Sequence, residues 1–325
     1  MLTRRTFLAG AGGSFLVACQ PSHAVDPVLP TRADAPLPQL TPTEQLMRAT
    51  VRLFNQGPSW QSWGTGFFFS LFQTSGFSVP VIVTNHHVVK DWDQCYFSFA
   101  ARLPDGAPDN EKHIPVRIGG FGKYWIAHPD ADLVVIPLAQ ILAQLNQNGQ
   151  QPFWITLDQN LIPTEKELNE LNAVEQILTV GFPGSLWDEA HNLPLFHRGY
   201  TATAPYIDFN GRKEFLIDIA TWPGASGSPV LLYNDTPWMN RNGGTVVGGV
   251  RAKLLGIVYA VAIQDVGGNV ILQEAPTAAM TGTGTMKVPT NLGACIKAGR
   301  ILEFEPLLVR NGIVKPPPGY VMRAS

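Results

Sequence analysis

Brief apolar runs of β type, each cut off by glycine, proline or small polar residues, set the limits on what this chain can fold into. Residues 64–69, 79–84, 95–99 and 132–136 are short, rich in valine, isoleucine and phenylalanine, and separated by turn formers. Similar runs return at 173–181, 215–220, 228–232, 245–250, 254–261 and 270–272, and 286–290 reads as a last strand closing at Pro289. Such spacing predicts a β-barrel or sandwich. Composition agrees. The 325 residues include 31 glycines, 27 prolines and only 15% charged residues, which suits a turn-rich β protein and not a helical bundle or a disordered chain. Between 138 and 172 the pattern changes. Residues 141–145 and 165–171 are helix-compatible and read as a crossover between two β halves. Thr290 is an expected N-cap for a helix running to about Leu302.

The first residues are set apart from the fold. Thr3-Arg4-Arg5-Thr6-Phe7-Leu8 and the apolar stretch to Val17-Ala18 have the charged-then-hydrophobic layout of an export signal, and resemble a twin-arginine signal. Leu16-Val17-Ala18-Cys19 resembles a bacterial lipobox with Cys19 as the acylated residue; the other reading is a plain export signal in which Cys19 is incidental. The segment is shorter than the roughly 20 apolar residues of a membrane span. Residues 1–19 are therefore expected to be a lipoprotein-type signal, and 20–45, rich in Pro, Ala and Thr, a disordered tether. The expected location is the bacterial cell envelope or periplasm, with membrane contact only through a lipid at Cys19. A net charge of −2 with no basic run excludes an electrostatic nucleic-acid partner. Cys95 and Cys295 either pair in an oxidising compartment or remain as two buried thiols; their sequence separation leaves both open.

Three short segments carry the chemistry. Thr84-Asn85-His86-His87-Val88-Val89 supplies a histidine, Asp132-Leu133-Val134-Val135-Ile136 an aspartate, and Gly224-Ala225-Ser226-Gly227-Ser228-Pro229 a serine among small residues. Serine is a weak nucleophile until a base takes its proton, and the base works best when a third group fixes its tautomer. The glycines around Ser226 permit a tight turn that can aim the N–H groups of Gly224 and Ser226 at one point, as an oxyanion hole requires. The order His, Asp, Ser differs from that of α/β-hydrolases and subtilisins. Ser228 also stands where Gly-x-Ser-x-Gly needs its last glycine.

The first segment resembles the Thr-Asn-x-His-Val-Val of trypsin-like bacterial peptidases, including the HtrA-type and glutamyl-endopeptidase-type groups. The second resembles their Asp-Leu-Ala-Val-Leu, and Val180-Gly181-Phe182-Pro183-Gly184 resembles the Gly-Tyr-Pro-Gly turn near the start of their second barrel. The resemblance covers about 46–303. It implies an all-β fold, a chymotrypsin-like double six-stranded β-barrel with a short C-terminal helix, with barrel 1 at about 46–140, crossover and barrel 2 at about 141–303, and a tail at 304–325. It implies a serine endopeptidase working through His87, Asp132 and Ser226 and an acyl-enzyme, on protein or peptide substrates, with no cofactor and no metal. The alternative is a catalytically silent peptide-binding envelope lipoprotein on the same fold. His87 is preferred to His86 by alignment, and Asp132 to Asp130, which follows Pro129 in a loop.

Two departures matter. Animal trypsin-like zymogens place an aspartate before the serine; here that residue is Ala225, so activation by a freed N-terminal amine is not expected. Ile257, Val258 and Tyr259 fall on the expected substrate-binding strand, where an extended peptide adds as a further strand. Val258 stands where glutamyl-type relatives present a histidine, which speaks against acidic P1 side chains and leaves a small or apolar P1 residue as the expectation. His113, His128, His191 and His197 lack the spacing of a zinc site; His191 and His197 fall in a long loop that could reach the cleft, with solvent exposure the expectation.

Overall fold

A computed structural model of the chain describes residues 16–17, 40–57, 61–74, 77–183, 187–220, 224–235, 237–274 and 278–316. Cys19 and most of the expected signal and tether lie outside them. The ordered part opens with α1 (Pro42–Ala49), started by a capping box in which Thr41 and Glu44 satisfy each other's backbone N–H groups, with Pro42 in the first turn.

The first sheet contains β1 (Leu16–Val17), β2 (Thr50–Gln56), β3 (Gln61–Thr74), β4 (Phe77–Thr84), β5 (Gln94–Arg102), β6 (Pro108–Gly119), β7 (Ile126–Ala127) and β8 (Val134–Pro137), in the order β1-β6-β5-β2-β3-β4-β8-β7. The short helix α2 (His86–Val89) follows β4 directly. β8 pairs with β4 and β7, and Val134, Val135 and Ile136 are all fully buried. A strand enclosed on both faces reads as an unbroken apolar run, which is how it stands in the sequence. The crossover begins with α3 (Ala139–Gln147) and then returns to the first sheet. β9 (Pro152–Phe153) pairs with β5 and β10 (Leu157–Asp158) with β3. The boundary expected near residue 140 therefore lies later, because Phe153 and Leu157 find burial only by extending the first sheet. α4 (Glu165–Asn169) completes the crossover, capped by Thr164 and Glu167.

In the second half, β11 (Gln176–Gly181), β12 (Leu195–Thr201), β13 (Glu214–Asp218), β14 (Pro229–Asn234), β17 (Arg251–Glu274) and β18 (Ala278–Lys297) close into a barrel in the order β11-β12-β13-β18-β17-β14. The run at 245–250 is outside it: β15 (Trp238–Met239) and β16 (Thr245–Val246) form a separate hairpin, and Val247 and Val250 are exposed. The runs at 270–272 and 286–290 belong to one long β17–β18 hairpin. The architecture is the all-β double barrel with a short C-terminal helix that the resemblance implies.

That helix lies later than expected. Residues 292–296 are strand, paired with β13 on one side and β17 on the other, since the barrel needs β18 to close. The capping signal at Thr290 is local and loses to this ladder. A 3-10 turn at Ala298–Glu303 and α5 (Phe304–Arg310) follow. They are core rather than tail. Ile301, Phe304 and Leu308 are fully buried in a cluster that also holds Phe67, Phe69 and Val83 of the first sheet and Leu178, Leu231 and Leu254 of the second. The Glu305 carboxylate accepts the N–H of Phe72 at 2.8 Å.

Cys95 and Cys295 are free and buried in the cores of different barrels. Of the two readings left open, the structure has the buried thiols, and burial pushes both far above the ordinary thiol range. Removing the ring of Phe304 tests the placement of the C-terminal segment. Phe304→Ala should lower stability by about 3–5 kcal/mol, read from the denaturant midpoint, whereas a residue on a loose tail would change it negligibly.

Candidate active site

β4 ends at Thr84, and the chain turns at once into the single helical turn of α2. Asn85 occupies the N-cap, but its side chain makes no cap bond. Instead its Nδ2 donates to the carbonyl of Asp132 at 2.8 Å, and the N–H of His86 reaches the same carbonyl at 3.4 Å. The Asp132 carboxylate then meets His87 twice. Oδ1 accepts the His87 backbone N–H at 2.8 Å, and Oδ2 lies 2.5 Å from His87 Nδ1. Gly64 of β3 keeps this corner compact. A Cβ there would stand 2.5 Å from Val88 Cγ1, so the turn carrying His87 could not seat as closely on β3. Asp132 lies just before β8 rather than opening it.

The neighbours that compete in sequence separate in space. His86 turns to the Trp125 ring, 5.2 Å between centroids. Asp130 pairs with Arg300 and lies 2.9 Å from His128 Nδ1.

Ser226 sits in the turn that leads into β14. Gly224 and Gly227 both have positive φ, +93° and +88°, the left-handed region that only glycine enters without strain. Space excludes a side chain as well. A Cβ at Gly227 would lie 1.9 Å from the Thr65 carbonyl oxygen, and one at Gly224 2.7 Å from that of Phe182. Ser228 N–H donates to Ala225 O at 3.0 Å, Gly227 N–H to Val258 O at 2.8 Å, and Val258 N–H to Ser228 O at 3.0 Å. Among the described residues the N–H groups of Gly224 and Ser226 donate to no protein acceptor.

Thr65, fully buried on β3, brings the two halves together. Its N–H donates to Ser226 O at 3.0 Å and its hydroxyl to Gly224 O at 2.9 Å. The same hydroxyl accepts Phe182 N–H at 2.9 Å, while Thr84 Oγ1 donates to Thr65 O at 2.7 Å. The serine turn is thus bonded to the strand beside the one that ends at His87. Among the described residues no hydrogen bond joins the Ser226 hydroxyl to His87.

A small recess adjoins the serine turn, walled by Thr179, Gly181, Pro183, His197, Ile219, Ala220, Ala225, Ser228 and Val258. His197 was expected in an exposed loop. It stands on β12, paired with Thr179, with Nε2 buried and without a partner. Burial pushes its pKa below the usual histidine value. The strand period around it (Phe196 and Tyr200 out, His197 in) is the signal that would have found it. His191 is bound to Asp188 at 2.8 Å. On the strand expected to take substrate, Ile257 and Val258 are core residues, and both main-chain groups of Val258 are already bonded to the serine turn. The Tyr259 hydroxyl donates to Glu214 at 2.8 Å; its burial and that carboxylate push its pKa up to about 12.

The trypsin-like peptidase domain family matches residues 64–236, which takes in all three segments. The chain belongs to the trypsin-like peptidase family. No curated protein matches it. Solved structures with a similar fold include a serine endoprotease from Yersinia pestis, at 15% identity and TM-score 0.42, covering 83% of this chain and 66% of that one. A Mycobacterium tuberculosis protein in an inactive mutant form is 13% identical, with TM-score 0.40, 86% of this chain covered and 100% of the other. Tobacco etch virus protease in complex with product is 12% identical, with TM-score 0.42 and coverages of 91% and 92%. The chain spans about two thirds of the length of the Yersinia protein.

Gly227 is the position at which a left-handed φ and a close approach to β3 coincide. Gly227→Ala should strain the turn by on the order of 1–3 kcal/mol, lowering the melting temperature and displacing Ser226. A variant with an unchanged melt would show that the turn does not need its left-handed residue.

Proposed function

We propose that this peptidase is a serine endopeptidase in which Ser226 attacks the peptide carbonyl, His87 moves its proton, and Asp132 orients His87. The observation that carries the reading is the two-point grip of Asp132 on His87, through Nδ1 and through the backbone N–H. With the Nδ1 proton directed at the carboxylate, Nε2 is left unprotonated to accept the Ser226 hydroxyl proton as the C–O bond forms. Negative charge then gathers on the former carbonyl oxygen, and the N–H groups of Gly224 and Ser226, free of protein acceptors, supply the donors. His87 returns the proton to the departing amine, leaving an acyl-serine that water hydrolyses by the same steps in reverse. The missing Ser226–His87 bond is compatible with this, because such bonds are often long before substrate closes the site.

The recess beside Ala225 supports the expected small or apolar P1 residue. Among the described residues its walls are Gly181, Pro183, Ile219, Ala220, Ala225 and Val258 with Thr179, His197 and Ser228, and include no carboxylate to hold lysine or arginine. The peptide would pair beyond Val258, at Tyr259 and onward, since Val258's own main chain is occupied. The N-terminal pattern supports export to the bacterial envelope and, through Cys19, attachment by a lipid as the sole membrane contact.

A fluorophosphonate probe and a casein-type substrate test the assignment. Ser226→Ala should abolish labelling and reduce turnover by on the order of 10⁶; retained labelling would remove Ser226 from the mechanism. A wild-type protein that neither labels nor cleaves would leave only a peptide-binding role for the groove. Asp132→Asn should cost about 10⁴ in turnover by presenting the wrong histidine tautomer, and a negligible loss would exclude Asp132 as the orienting group.

A further inference from the structure

The turn that presents Asp132 is tied to the other end of the chain. Its limits are set by His128 N–H, which donates to Leu133 O at 2.9 Å, with Leu133 N–H on Ala131 O at 2.7 Å inside it. Leu133 is fully buried, but Pro129 and Asp130 on the outer limb face solvent. What holds that limb is a cluster of charged groups.

The His128 side chain is 1% exposed. Its Nδ1 lies 2.9 Å from Asp130 Oδ1 and 3.3 Å from both the Asp130 N–H and Arg300 Nη2, and its Nε2 lies 3.1 Å from Glu303 Oε2. Burial, with the Arg300 charge next, keeps the ring below the usual histidine pKa. Arg300 bonds the Asp130 carboxylate with the same guanidinium, whose Nη1 lies 3.5 Å from Glu303 Oε2; Lys213 Nζ lies 3.3 Å from Glu303 Oε1. The edge of the His128 ring packs on Phe304, 5.3 Å between centroids. Two carboxylates, Asp130 and Glu303, thus face two cations, Arg300 and Lys213, around the His128 ring. His128, Asp130 and Glu303 stand close enough to hold a metal ion, but the guanidinium already supplies the cation they face.

We propose that Arg300 is a positioning residue for the peptidase reaction: by gripping Asp130 and His128 from the C-terminal segment, it fixes the turn that aims Asp132 at His87. This rests on the serine peptidase reading above. Asn85 and His86 hold the Asp132 carbonyl, and His87 holds its carboxylate, but all three belong to the histidine's own corner. Arg300, with Glu303 beside it, fixes the turn from outside that corner. Its guanidinium reaches Asp130 and His128 through Nη2 and Glu303 through Nη1; an ammonium offers a point charge without that fork.

The experiment compares wild type, Arg300→Met and Arg300→Lys in the full chain, by steady-state kinetics and by the low-field NMR signal of the His87 Nδ1 proton. Arg300→Met should lower kcat by about 10- to 100-fold, the cost of a misplacement on the order of an ångström, with KM little changed and the His87 signal shifted or lost. Arg300→Lys should recover part of both. A folded Arg300→Met variant with unchanged kcat and an unchanged His87 signal would overturn the proposal. If Arg300→Met does not fold, Asp130→Asn is read instead, since that side chain is largely exposed and its loss frees only the turn. An unmoved His87 signal there would overturn it equally. Should wild type prove inactive on every substrate while the His87 signal still responds to Arg300→Met, the peptidase reading fails and the link from Arg300 to Asp132 stands.

Discussion

The serine turn is fastened to the first sheet by the hydrogen bonds of one threonine. Thr65 uses its N–H, its hydroxyl and its carbonyl oxygen to join β3 to the serine turn, to the end of β11 and to Thr84. Each bonded group is buried, so breaking any one of them leaves a polar atom without water as well as without a partner, at a cost of about 1–3 kcal/mol. The histidine corner and the serine turn come from opposite halves of the chain. Thr65 is the point at which their relative position is settled by bonds rather than by packing alone.

The same interaction explains how the serine turn keeps its shape without the aspartate that animal zymogens place before the serine. At Ala225 there is no charge to be met by a freed amine. The turn is held instead by main-chain bonds to Val258 within the second barrel and by Thr65 from the first. Left-handed glycines at 224 and 227 let the backbone come within reach of both. The device that shapes the turn is folding itself.

What the sequence makes legible is what is local. The His87, Asp132 and Ser226 segments are short and each carries its own turn chemistry, and the punctuated β runs announce a barrel. His87 is chosen over His86 by the resemblance of its segment, and in the structure His86 turns to Trp125. Pairings between distant segments are not legible in this way. Thr290 looks like a helix cap, but β18 must continue to close a barrel, a demand set by β13 and β17. Arg300 and Glu303 read as ordinary charges near a terminus until they meet His128 and Asp130, some 170 residues earlier. The inward turn of His197 rests on the alternation of β12, which a run mixing Phe, His, Arg, Gly and Tyr does not announce.

The bond from Phe72 to Glu305 joins residues 233 positions apart, and α5 contributes side chains to a core shared by both sheets. A first barrel lined by α5 cannot finish before α5 is made. Contacts of such sequence separation are reached late, because the loop must close before they form, and proteins dominated by them fold slowly. Phe67, Phe69 and Val83 of the first half then wait for the cover that Ile301, Phe304 and Leu308 supply. The topology thus makes closure of the first barrel wait for residues 301–308, and leaves the chain before that point in need of protection from aggregation.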